Sequence, residues 1–76
     1  MMLKADGLDE AILGELDVTR DDVIVPVLAY SVERIIAILM ERDGMDEEEA
    51  FEFFQFNIEQ AYVGQTTPVY IYPHLE

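Results

Sequence analysis

The chain contains no cysteine, a single serine, a single histidine and only four lysines and arginines. Each shortage closes a class of chemistry. Without cysteine there is neither a disulfide framework nor a cysteine-based zinc site. His74 is alone and near the C-terminus, so zinc would lack partners. The one serine, Ser31, stands where a helix begins and has no histidine beside it in sequence, which leaves a nucleophile triad without visible parts. Apolar runs are short as well: the longest, Val23–Ser31, is interrupted by Pro26 and falls well below the length of a membrane span. The first residues, MMLKADGLDEAIL, lack the charged and long apolar regions of a signal peptide. These absences point away from an enzyme, a cofactor, a metal and a membrane, and the missing cysteine fits a reducing cytoplasm.

What is abundant is acid. Seventeen aspartates and glutamates face the four cations, a net charge of −13. Such a field repels nucleic acid and anionic lipid and attracts basic surfaces in a salt-sensitive way. The same charge also keeps a small apolar domain soluble. With 51% hydrophobic residues the chain is too apolar for a disordered acidic tail. Its 76 residues make one domain, residues 1–76, that buries only about 60% of its unfolded surface.

The firmest local signal is a helical hairpin over residues 31–63. Ser31 caps a first helix, Val32–Asp43, and Asp43-Gly44-Met45-Asp46 is the turn. Gly44 suits the left-handed conformation that ends a helix, with Met45 packing back on Met40. Asp46 and Glu49 form a D-x-x-E capping box, and Glu47, Glu48 and Glu49 fill the first turn, where the helix dipole favours negative charge. The second helix is expected over residues 47–63, turning Ala50, Phe53, Phe54, Asn57, Ile58 and Ala61 inward. Asn57 in the middle of that face needs a hydrogen-bond partner: the backbone near residues 23–30, the loop at 64–68, or a ligand at the bottom of a pocket.

Around the hairpin, Leu8, Ala11, Ile12 and Leu16 recur at helical spacing, so a further helix is expected from Asp6 or Gly7 to about Asp17, with Asp6 as its cap. Residues 17–22 then form a polar connection. VIVPVLAY at 23–30 reads as a strand that Pro26 pushes to a sheet edge, and TPVYIY at 67–72 alternates as a second strand. Two helices between them imply antiparallel pairing. The expected fold is therefore α+β: three helices around a central αα-hairpin with a small two-stranded antiparallel β-ribbon, the alternative being an all-α three-helix bundle with extended segments. Residues 1–5 and 73–76 are expected to be flexible, and Leu75 and Glu76 can be a vector scar.

From Asp43 to Tyr70 the chain resembles small proteins of tailed bacteriophages and prophages. The matching residues are DGM at 43–45, EEA at 48–50, EFF at 52–54, FN at 56–57, AYVG at 61–64 and TPVY at 67–70, together with Ala29-Tyr30-Ser31. The group carries no established activity, so the resemblance implies a phage or prophage setting and transfers no site.

The candidate interaction residues are Glu48, Glu52 and Glu59, expected along one side of the second hairpin helix with the first two about 6 Å apart, and the aromatics Phe56, Tyr70 and Tyr72. Exposed aromatics beside acids are an interface composition; the competing reading is a satellite apolar cluster. Asp43, Gly44, Asp46, Asn57 and Ser31 are structural. A DNA-binding reading of the helix–turn–helix fails, because its second helix opens with four consecutive acids. The leading expectation is a non-catalytic protein-binding or regulatory module whose partner has a basic surface. The others are an inhibitor that mimics nucleic acid to occupy a basic host protein, and a minor virion component. Ile38 and Phe56, left near the surface, would support weak, salt-strengthened homodimerisation.

Overall fold

The computed structural model describes residues 3–5, 7–61 and 64–73. Strand β1 (Ile12–Arg20) and strand β2 (Val23–Ser31) form an antiparallel hairpin. Helix α1 (Val32–Asp43) and helix α2 (Glu47–Phe54) follow, and α2 continues as a π-helical turn, Gln55–Glu59. Strand β3 (Val69–Ile71) returns beside Ala29, Tyr30 and Ser31, parallel to β2, giving the sheet order β1-β2-β3.

This overturns the expected three helices with a two-stranded antiparallel ribbon, and equally the three-helix bundle. The structure is α+β with two helices and a three-stranded mixed sheet. The helical spacing at the N-terminus is real for a single turn only. Leu8 and Ala11 are buried around a short 3₁₀ turn, Asp9–Ala11, and from Ile12 the chain is extended. Ile12, Val18 and Thr19 are β-branched and suit a pleated surface. Gly14, which would weaken a helix, lies at a β-bulge where the register shifts between Ile12 and Gly14, with φ of 154°. Asp6, the expected cap, lies outside the described residues. The supposed polar connection is a two-residue hairpin turn. Asp21 and Asp22 take φ of 51° and 64°, the positive pair that a type I′ turn demands.

The strand direction follows from where the second helix stops. A helix reaching residue 63 would deliver the chain to an antiparallel strand. Here the helical run ends at Glu59 and β3 starts only at Val69, a connection long enough to return to the C-terminal end of β2. Pro26 obeys the edge rule locally although β2 is central. Its partner on β1 is Asp17, and β3 begins only at Ala29, past the proline. Residues 64–68 are tethered near the hairpin tip: Arg20 Nη1 donates to the carbonyls of Gln65 (2.6 Å) and Thr67 (2.8 Å), and Gln65 Nε2 donates to Asp21 Oδ2 (3.3 Å).

The core joins Leu8, Ala11, Tyr30, Val32, Ile35, Leu39, Ala50 and Phe54. Val27 and Ala29 are also buried, so the C-terminal half of β2 is covered on both faces, whereas Val23 and Ile24 project with the hairpin tip. Ile38 packs at the margin of this core, which leaves Phe56 alone of the pair expected to drive self-association. The N-terminal segment is tied in as well. Leu3 donates its amide to the Thr66 carbonyl, and the Ala5 amide donates to the Tyr30 hydroxyl at 2.9 Å.

The turn between the helices forms as expected. Ser31 Oγ accepts from the Arg34 amide at 3.2 Å, Gly44 is left-handed (φ 70°), and its amide donates to the Leu39 carbonyl, which also accepts from the Met45 amide at 3.4 Å. The Asp46 carboxylate accepts from the Glu49 amide (2.8 Å) while Glu49 Oε1 accepts from the Asp46 amide (3.3 Å). Met45 packs against the core, but Met40 is exposed. A Cβ on Gly44 meets nothing within 4 Å, so only its backbone conformation resists substitution. Gly44→Val is expected to cost about 2–3 kcal/mol and Asp46→Ala about 1 kcal/mol, both read by urea denaturation. At the β-turn, Asp22→Val should lower the melting temperature while Asp22→Gly holds or raises it, since only the first adds left-handed strain. Equal effects of the two Asp22 replacements would mean that this turn is not type I′.

Candidate protein-binding groove

Helix α2 buries a narrow stripe, Ala50 and Phe54, continued by the half-buried Ile58. The stripe leaves Phe53 at its border, 38% exposed, and Phe56 outside it, 70% exposed. A π turn advances less per residue about its axis than an α-helix, so side chains after Phe54 fall out of step with the α-helical face. Asn57 is consequently exposed rather than central to a buried face. Its Nδ2 donates to the Phe53 carbonyl one turn back at 3.2 Å, and it braces neither β2 nor the 64–68 loop.

Two concavities meet at Phe53 and Asn57. One is a shallow groove of about 330 Å³ lined by Met45, Glu49, Glu52, Phe53, Phe56 and Asn57. The other is a cleft of about 410 Å³ between the N-terminal segment and the helices. Leu8, Leu39, Phe53, Ile58, Ala61, Pro68 and Tyr70 give it apolar walls, and Lys4, Ala5, Arg42 and Asn57 complete it. The groove is acidic and aromatic; the cleft is apolar. The cleft's two cations are already engaged. Lys4 Nζ donates to Asp9 Oδ2 at 3.1 Å. Arg42 forks onto both Asp43 oxygens at 3.0 Å and donates Nη1 to the Gly7 carbonyl at 2.8 Å. The hydrogen bonding between Arg42 and Asp43, more than the charge itself, holds the Asp43 carboxyl below its usual range and raises the Arg42 guanidinium.

The structure divides the expected interaction residues. Glu48 and Glu52 are exposed on α2, and Glu52 shares the groove with Phe56. Glu59 leaves that side: its carboxylate accepts a hydrogen bond from the Tyr72 hydroxyl. Tyr70 and Tyr72 belong to an aromatic cluster, Tyr70 half-buried in it and Tyr72 at its exposed margin. Tyr70 packs edge-on against Phe54 (5.4 Å between centroids) and on Tyr30 (5.8 Å), and Tyr72 stacks by Phe51 and Phe54. Tyr70 thus faces inward, whereas Ile71 and Tyr72 keep exposed surface. The cleft was invisible in the sequence because Leu8 and Tyr70 come from opposite ends of the chain.

Among the described residues, no group of three or more histidine, aspartate or glutamate side chains is placed to hold a metal ion, and no helix is long and apolar enough to cross a membrane. No protein-family model matches the chain, and searches of curated proteins and of solved structures return no match.

The Glu59–Tyr72 bond makes the fold sensitive to alkali. The Tyr72 hydroxyl is pushed up to about 12, first by its hydrogen bond to Glu59, then by burial and by the charge of Glu59; burial does most to raise Tyr70. Against an unfolded value of 10.0, the folded chain holds the Tyr72 proton more tightly. The associated stability is therefore whole below pH 10 and is lost as pH rises towards 12. Glu59→Gln should move the tyrosinate absorbance transition of Tyr72 to lower pH. An unchanged transition in that variant would show that the two side chains do not interact in solution.

Proposed function

We propose that this chain is a small non-catalytic protein-binding module, in the phage or prophage setting that its sequence resemblance implies, and that its partner presents a basic, partly apolar surface. One observation carries the reading: Phe56, a large aromatic left 70% exposed, stands in a groove whose polar members include Glu49 and Glu52. An exposed aromatic beside acids has the composition of an interface, and the net charge of −13 selects basic surfaces and repels acidic ones. Nucleic-acid mimicry receives less support. It called for Glu48, Glu52 and Glu59 in one row, and Glu59 is turned toward Tyr72.

The test is affinity capture with the intact chain and with a Phe56→Ser/Glu52→Lys variant, after circular dichroism has shown that both fold. A specific partner retained by the first and lost by the second is expected, with capture weakening as salt is raised. Equal retention by both chains would remove the groove from the interaction.

A further inference from the structure

The groove and the cleft share Phe53 and Asn57, so a ligand lying over Glu52 and Phe56 has an apolar cavity directly beside it. We propose, resting on the protein-binding reading above, that the two act as one composite site. It takes a basic peptide segment with a single bulky apolar anchor: the anchor side chain enters the cleft, and flanking lysines or arginines face Glu49 and Glu52. Binding energy at protein interfaces concentrates on a few large side chains in desolvated pockets, with a polar rim around them. The cleft offers Leu8, Leu39, Ile58 and Tyr70 to such an anchor, and the acids of α2 form the rim on one side.

Charge fixes the sign of the occupant. Glu48, Glu49 and Glu52 are exposed on α2 and none has a basic side-chain partner among the described residues. The two cations of the cleft are paired with Asp9 and Asp43, so they do not offset the attraction for a basic ligand. A second copy of the chain fits poorly, since it would bring its own acids to this rim.

The experiment uses a short amidated alanine–lysine peptide with one central tryptophan. The chain has no tryptophan, so tryptophan emission, excited beyond the absorption of the four tyrosines, reports the peptide alone. Titrating the full-length protein should give a saturable blue shift that weakens with salt. Two variants at exposed positions separate the parts: Ala61→Phe narrows the cleft and Glu52→Lys reverses a rim charge. Each should weaken binding by about tenfold or more, with circular dichroism and melting unchanged. A matched peptide with alanine for tryptophan, followed by calorimetry, should bind far less. If the tryptophan peptide does not bind, or binds Ala61→Phe as well as the parent chain, the composite site is wrong. A partner lost in the Phe56→Ser/Glu52→Lys capture would still stand in that event, so the two readings fail separately.

Discussion

Everything in this fold passes through Tyr30. It is the last apolar residue of β2 before Ser31 caps α1, so the strand and the helix are joined without a loop. Ile12 of β1 and Tyr70 of β3 pair with it on either side. Its ring is fully buried with Leu39 and Phe54, and its hydroxyl accepts the Ala5 amide. A buried phenol needs that partner. One side chain therefore ties the sheet, both helices and the N-terminal segment together. In a chain this small, with no disulfide to brace it, such concentration is how a single core is made to suffice.

The helical connection is specified more redundantly. Gly44 supplies the left-handed residue and an amide that bonds back to Leu39, Met45 contributes apolar contact and a second amide to the same carbonyl, and Asp46 with Glu49 satisfies amides of the next helix. Arg42 adds a link outward, to Asp43 and to the Gly7 carbonyl. Local propensity, capping and packing agree here. That agreement is why the turn was legible from the sequence to the residue: the chemistry that forms it lies within ten residues or so.

Elsewhere the sequence carried two periods at once. Leu8, Ala11 and Ile12 fit a helix, and Ile12, Gly14, Val18 and Arg20 fit a strand; tertiary pairing with β2 chose the second. The turn at Asp21 and Asp22 lacked the glycine that usually advertises a type I′ hairpin, so the nine-residue strand before it was hidden although the strand after it was legible at 23–30. Gly14 was the available clue, because a lone glycine in an alternating segment marks a bulge better than it marks a helix. The π turn had no comparable sign. It displaced Asn57 from the buried face and Glu59 from the acidic row, and those were the two places where site reasoning depended on strict α-helical geometry. Glu52 and Phe56 were legible as surface residues; the cleft beside them, built by residues distant in sequence, was not.

The residues on which the proposed phage setting rests fall largely on the architecture. Gly44 and Glu49 make the turn, Ala50 and Phe54 fill the core, Tyr70 packs on Tyr30, and Thr67 is buried where β3 is approached. A pattern made of caps and core contacts can persist with different surfaces. Within it, Phe56 stands apart, since among the described residues no cap, core cluster or ring pair uses its side chain, and exposing so large an apolar group in water brings the isolated domain no stability. The same holds for the unneutralised acids of α2 beyond those that complement the helix dipole: Glu52 lies past the first turn, where that benefit has faded. An aromatic and a carboxylate that the fold does not require share one groove, and the groove opens beside the cleft. That coincidence, more than the overall charge, is what supports the proposed binding role, since charge alone would serve equally to keep the chain in solution.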